Sequence, residues 1–202
     1  MADTRMPTQK RSIEKRNRII DTGFKLMCER GYHNVTTNDI AEEANVSIGI
    51  IYQYFNDKKE IFLEGVKNYS SNILFPIMEL LNEVEFNLKD FDKSLEKIID
   101  TFINAHTISS QAHKELIATV LIDDDVAEVF TTQELAMTQK IVEILKTNGC
   151  KTKHLEEKVH ICYKLIDDLC HEIVYHKHSN MNYDVMKKEV INIITKTIKG
   201  TI

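Results

Sequence analysis

The stretch Thr36–Phe55, TTNDIAEEANVSIGIIYQYF, limits what this chain can fold into more than any other. It reads as two short helices joined by a tight turn. Thr36 is a natural N-cap, and Asp39, three residues on, can return a hydrogen bond to it in the reciprocal arrangement of a capping box. Ile40, Ala41 and Ala44 then share one face, and the small alanines let a second helix cross closely. Asn45 falls at the turn, where a residue tolerant of left-handed backbone is needed. Val46 fills the corner. Ser47 caps the next helix, Ile48–Phe55, which has room for about two turns. Two helices, a short turn and a second N-terminus directed outward form a helix-turn-helix, a layout that sets the start of its second helix in a DNA major groove.

The net charge of −5 looks wrong for a partner of DNA until it is divided along the chain. Residues 1–70 hold 11 Lys+Arg against 10 Asp+Glu, which leaves 15 against 21 for the remainder. Within the first part the cations gather as Arg5, Lys10, Arg11, Lys15, Arg16 and Arg18, opposed only by Glu14. Phosphate attraction depends on such a local patch rather than on the total. Outside this setting the same run would read as a solvated arm and helix start.

The rest of the chain predicts an all-α fold. Met1–Arg11 lacks periodicity and reads as an arm. A first helix over about Ser12–Arg30 carries Ile13, Ile20, Phe24 and Met27 on one stripe and stops at Gly31. Asp57 can cap a long helix from about Lys58 to Asn82, which Pro76 should kink or split because proline lacks an N–H and crowds the preceding turn. Helical periodicity continues through segments marked by Phe91–Phe102, Leu116–Leu121, and Val126–Leu145. The last of these opens on Asp123–Asp125 and stops at Asn148-Gly149. Thr152 is the expected cap of an eighth helix, and a ninth runs from about Tyr183 to Lys199. The expected organisation is an arm and helix-turn-helix domain over residues 1–56, then a larger helical bundle over 57–202. The 6 Gly and 2 Pro in 202 residues argue against a turn-rich β protein. No window approaches the roughly 18 unbroken apolar residues of a membrane helix, and the polar start lacks a signal peptide's apolar core, so a cytoplasmic protein is expected. Cys28, Cys150, Cys162 and Cys170 form no CxxC pair and are expected as free thiols.

From about Ile13 to Leu63 the sequence resembles the DNA-binding domain of the tetracycline-repressor (TetR) family. The resemblance is carried by Ile19-Ile20, Gly31-Tyr32, Val35-Thr36-Thr37, Asp39-Ile40-Ala41, Ala44, Val46-Ser47, Gly49, Tyr52-x-Tyr54-Phe55 and Asp57-Lys58-Lys59-Glu60. Asn45 departs from the family's usual Gly, and Ile48 and Ile50 stand where polar residues are common, leaving fewer hydrogen-bonding side chains at the DNA face. The resemblance implies that Thr36, Thr37 and Ser47 offer hydroxyls and backbone N–H groups to phosphate. It also implies that Gly49 permits close approach to the groove, that Tyr52 and Tyr54 touch the backbone, and that Lys58 meets a phosphate. Gln53 is the candidate base reader, because its amide pairs bidentately with adenine, and Ile48 and Ile50 suit thymine methyls.

The resemblance further implies a homodimer on a palindromic operator in double-stranded DNA, with half-sites roughly 34–36 Å apart or a multiple of that. It implies a larger domain that binds a small effector, so that a repressor leaves its operator. Leu155, Val159, Cys162, Ile166, Leu169 and Ile173 repeat at four-three spacing, and with Met186, Val190, Ile193 and Ile194 they resemble the family's four-helix dimer interface. The competing reading is that these stripes close the chain's own core. Phe75, Phe86, Phe102, His106, Phe130, Met137 and Tyr163 are the candidate lining of an apolar effector site, against the simpler reading that they fill a core.

Histidines 160, 171 and 178 fall on one helical stripe, but the eleven-residue gap spans about 16 Å, too far for His160 and His171 to share an ion. Only Asp167 or Asp168 with His171 has metal-binding geometry along the chain, and His176 and Cys170 are near. No metal site and no cofactor are assigned on this basis. His171-Glu172 is not an HExxH motif, because Tyr175 stands in place of the second histidine, and no G-x-S-x-G or phosphate-cradling loop appears. The expectation is a regulator without enzymatic activity. The alternatives are a DNA-binding helical protein with no small-molecule switch, a metal-responsive regulator, or a helical-bundle metal-binding protein.

Overall fold

The computed structural model describes residues 9–83, 90–106 and 109–200. Among these, the chain forms nine α-helices and one 3-10 turn, and no strand. They are α1 Lys10–Arg30, a 3-10 turn at Tyr32–Asn34, α2 Thr37–Glu43, α3 Ile48–Tyr54, α4 Lys58–Glu83, α5 Phe91–Ala105, α6 Ser110–Ile122, α7 Asp124–Thr147, α8 Leu155–Tyr175 and α9 Tyr183–Lys199. The all-α reading is correct. The chain packs as two compact units, one from Met1–Ser70 with Ile108–Phe130, the other from Ser71–Thr107 with Thr131–Ile202. The first half of α4 and the segment 108–130 thus pack with the N-terminal helices, a different line from the functional division read at residue 56.

In the first unit, Ile19, Ile20, Met27, Val35, Ile40, Ile51, Phe55, Ile61, Phe62 and Val66 are buried. Glycine sets how closely α1 and α4 cross. A Cβ on Gly23 would lie 2.6 Å from Ile61, and one on Gly65 would collide with Phe24. The gap is filled by rings: Phe24 lies 5.7 Å from Phe62 and 5.9 Å from Tyr69, and Tyr32 meets Phe62 edge-on at 5.2 Å. Gly31 ends α1 at φ 89°, a conformation that favours glycine. Asp57 accepts the Glu60 N–H at 2.9 Å and so caps α4 as expected.

In the second unit, α5, α8 and α9 pack on one another. Phe91, Leu95, Ile99 and Phe102 form the buried stripe of α5. Pro76 neither splits nor ends α4, which runs unbroken to Glu83. The N-cap of α8 is His154, at φ 54°, rather than Thr152. The Thr152 hydroxyl instead donates to the Ile198 carbonyl at 2.6 Å, where Lys158 also reaches the Thr197 carbonyl at 3.3 Å. The four cysteines are free. Burial pushes the Cys28 thiol up to about 12 and Cys162 to about 11, so both stay protonated and pack as small apolar groups. Among the described residues no helix is long and apolar enough to cross a membrane.

Candidate functional site

The helix-turn-helix is assembled by local chemistry. Thr36 accepts the Asp39 N–H at 3.2 Å, and Asp39 accepts the Thr36 N–H at 2.7 Å and the Thr36 hydroxyl at 2.6 Å. The capping box is therefore formed, and those hydrogen bonds hold the Asp39 carboxyl below its ordinary range. Asn45 takes φ 53°, the left-handed geometry the turn requires. The Val46 N–H then donates to the Ala41 carbonyl at 2.9 Å and closes the corner. Ile40, Ala41, Ala44, Ile51 and Phe55 are buried beneath.

What remains outside is a compact face. Ser47, Ile48, Gly49, Tyr52 and Gln53 are exposed. Ser47 makes no side-chain cap bond, so its hydroxyl is not needed by α3. A Cβ on Gly49 would meet only the Ser47 hydroxyl, at 3.9 Å. Nothing inside the fold calls for a glycine there, although glycine weakens a helix by about 1 kcal/mol relative to alanine. The Tyr52 and Thr37 hydroxyls share a hydrogen bond at 3.2 Å, which fixes the Tyr52 ring across the start of α2. Ile50 is half-buried.

Three residues expected to meet DNA are engaged within the unit. Tyr54 is 8 % exposed and packs in the core face of α3. The Lys58 ammonium donates to the Tyr32 and Val35 carbonyls at 2.7 and 2.8 Å and lies 4.6 Å from the Tyr32 ring centre, and burial lowers its pKa. Two of its three N–H donors thus tie down the loop between α1 and α2. Arg16, counted in the basic patch, pairs with Glu64 at 3.0 Å and stacks over Phe55 at 5.0 Å. Lys10, Arg11 and Arg18 are exposed on α1; Arg5 lies outside the described residues.

The second unit holds an apolar cavity of ≈ 60 Å³. It is lined by Ile77 and Leu81 of α4, Phe91, Leu95, Ile98 and Phe102 of α5, Met137, Ile141 and Leu145 of α7, Val159, Cys162, Tyr163 and Ile166 of α8, and Ile194 and Ile198 of α9. Of the residues expected to line a ligand site, Phe102, Met137 and Tyr163 line this cavity. Phe75 does not: it is 62 % exposed on α4. Phe130 belongs to the other unit, and Phe86 lies outside the described residues. His106 is not in the lining. Several residues expected at a dimer interface are instead enclosed: Leu155, Val159, Cys162, Leu169, Val190 and Ile194 are buried within the chain, and Val159, Cys162, Ile166 and Ile194 face the cavity. Within the chain, these side chains help close its own core. Ile166, Ile173 and Met186 are half-buried, and Ile193 is exposed.

The histidines part company as the helical geometry requires. His160 lies 3.2 Å from Glu134 and 3.2 Å from the Thr138 hydroxyl. His178 lies 3.1 Å from Glu172. His171 stands 3.8 Å from Asp167, one turn away on α8, and its ring meets His106 edge-on at 5.0 Å. Burial pushes Asp167 up to about 6 and His171 down to about 4. His106 was missed as their neighbour because it comes from the end of another helix, about sixty residues earlier in the chain.

Comparison with known proteins matches residues 19–64 to a family described as bacterial regulatory proteins, tetR family. The transcriptional regulator HbdR of Aromatoleum sp. strain CIB is 43% identical over 76 residues, which cover 36% of this chain and 33% of HbdR. The fatty acid metabolism regulator protein of Bacillus subtilis strain 168 is 27% identical over 137 residues, 68% of this chain and 63% of that protein. The chain thus spans less than two thirds of either relative. A solved structure from Mesorhizobium loti MAFF303099, described as a TetR-family transcriptional regulator, superposes with TM-score 0.70 over 92% of this chain and 97% of its own, at 18% identity. At that identity the likeness is one of fold.

Proposed function

We propose that this chain, whose residues 19–64 match the family described as bacterial regulatory proteins, tetR family, is a sequence-specific DNA-binding transcriptional repressor. In this reading it acts in the cytoplasm as a homodimer on a palindromic operator. The observation that carries the reading is the outer face of α3. Gly49 has no internal reason to be glycine and leaves open space beside exposed Ser47, Tyr52 and Gln53. A glycine that the fold does not use makes sense where another backbone must approach. Gln53 reads a base edge, Ile48 meets a thymine methyl, and Ser47, Tyr52 and the α1 cations hold the phosphates. Lys58 acts one step back, by fixing the loop that leads into α2.

The apolar cavity supports a small, largely apolar effector. So predominantly apolar a lining selects by shape and burial more than by hydrogen bonding. The similarity to a regulator of fatty acid metabolism suits that chemistry. For the effector to release the operator, it must bind one conformation of the protein better than the other. Dimerisation would use apolar side chains left outside the core: Ile161 on α8, 64 % exposed, with Val185 and Ile193 on α9, 52 % and 45 % exposed.

Selection of bound sequences from random duplex DNA at near-physiological salt tests the function. A palindromic consensus is the expected result; no enrichment over nonspecific binding would remove the reading. Light scattering tests the assembly: a dimer at micromolar concentration that Ile161→Glu converts to monomer is expected. A monomeric parent chain would sink the paired half-site model.

A further inference from the structure

Three side chains able to ligate a metal converge in the second unit, where neither the DNA-binding reading nor the cavity uses them. His106 follows the last residue of α5, and Asp167 and His171 lie one turn apart on α8. One ligand atom from each lies within 4.8 Å of the other two. His106 is 8 % exposed, and the other two are half-buried. The tautomer of His106 follows from its surroundings. Its Nδ1 lies 2.7 Å from the Phe102 carbonyl oxygen, which can only accept, so Nδ1 carries the proton and Nε2 keeps its lone pair. Histidines that bind metal are held in this way, with the second nitrogen donating to a backbone carbonyl.

We propose that His106, Asp167 and His171 bind a divalent transition-metal ion of the zinc class and leave at least one coordination position open to an outside ligand. Two imidazoles and one carboxylate suit zinc and its first-row neighbours, whereas magnesium and calcium call for oxygen ligands alone. Tetrahedral ligands about 2.0–2.2 Å from an ion stand roughly 3.3–3.6 Å apart. The 3.8 Å between His171 Nδ1 and Asp167 Oδ2 is near that spacing. Small side-chain rotations close the rest. Asp167 and His171 share the i, i+4 spacing that puts two ligands on one helical face, and His106 supplies the third ligand from another helix.

The position of the site gives the ion a consequence. Phe102 lines the apolar cavity, and its ring lies 5.2 Å from that of His106. A bound ion would fasten the end of α5 to α8 beside that cavity. It would add one polar, ligand-accepting point to a surface that otherwise sorts ligands mainly by shape. An effector with an apolar body and a metal-seeking head, such as a carboxylate, fits that combination. Metal binding itself does not depend on the DNA-binding reading, and each can fail without the other.

The test uses the full chain, stripped with a chelator and titrated with Co²⁺, whose visible d–d absorption reports coordination geometry, with Zn²⁺ as competitor. One equivalent per chain and a tetrahedral or five-coordinate spectrum are expected. His171→Ala and the nearly isosteric Asp167→Asn should weaken binding by more than about 100-fold, beyond what loss of an outer-shell contact does. His160→Ala and His178→Ala should leave it unchanged. X-ray absorption of the Zn²⁺-loaded parent chain needs no variant and should show nitrogen and oxygen ligands. Sulfur ligation, binding that survives His171→Ala, binding abolished by His178→Ala, or no stoichiometric binding would each overturn the proposal.

Discussion

The two units are both built of amphipathic helices crossing closely, yet they differ in how much each apolar side chain is asked to do. In the N-terminal unit the packing positions and the outer face of α3 are separate residues. Gly23 and Gly65 set the crossing of α1 and α4, Phe24 and Phe62 fill it, and a separate outer face on α3 is left for contact. In the C-terminal unit one stripe serves two ends. Val159, Cys162 and Ile194 are buried in the core and also line a cavity of ≈ 60 Å³. The first unit joins its helices through close glycine crossings and stacked rings, whereas the second keeps an apolar space that a ligand can take up. Close-packed helices hold the residues on their surface in place, and a bundle with internal space can change shape at modest cost.

Substitutions can break or sharpen this contrast, and the largest effect is expected in the packed core. Phe62→Ala should destabilise the chain by about 3–5 kcal/mol in urea unfolding, while Phe102→Ala, beside space already empty, should cost at least about 1 kcal/mol less. Equal costs would mean that the two cores are packed alike. Next, Gln53→Ala should lose about 1–3 kcal/mol of discrimination at a single base position. It should leave the unfolding midpoint nearly unchanged, since Gln53 is exposed. A uniform loss across sequences would take it out of the reading role.

The glycines give a paired test of similar or smaller size. Gly65→Ala drives a methyl into Phe24 and should cost about 1–3 kcal/mol. Gly49→Ala should be neutral or stabilise by up to about 1 kcal/mol while weakening operator binding. Weakened folding from the second variant would return Gly49 to a structural role. The smallest effect concerns the capping box. The Asp39 carboxyl is held below its ordinary value by Thr36, so its contribution is present above the unfolded pKa near 3.8 and is lost as pH falls through the lower folded value. The parent chain should be more stable than Asp39→Asn at pH 7, and the two should converge in acid. A difference that persists unchanged would show that ionisation is not what the cap uses.

The sequence made plain those features that neighbouring residues decide. The Thr36–Asp39 box, the left-handed Asn45, the Asp57 cap of α4 and the stop at Gly31 all follow from side chains within a few residues of one another. What depended on distant partners was hidden. Arg16 reads as one cation of a phosphate-attracting patch, and its pairing with Glu64 and Phe55 shows only in the fold; the Tyr32 and Val35 carbonyls that Lys58 meets are equally distant in sequence. Periodicity showed that α8 has an apolar stripe but not what covers it. Four residues of the expected interface, Val159, Cys162, Ile166 and Ile194, line a cavity within the chain. Pro76 was overestimated as a breaker, since an otherwise continuous helix carries it. His106 belonged to no local pattern at all.

The inward engagement of Arg16 and Lys58 has a thermodynamic consequence for DNA binding. A cation already paired in the free protein displaces few counterions from a phosphate chain. The slope of log K against log salt counts only the charges that remain available, at about 0.9 ions per phosphate neutralised. In the proposed DNA complex the slope should therefore fall short of the tally of nearby lysines and arginines by up to about two ions per chain. Adjusting salt would then tune this protein's residence on DNA more gently than its basic N-terminus suggests.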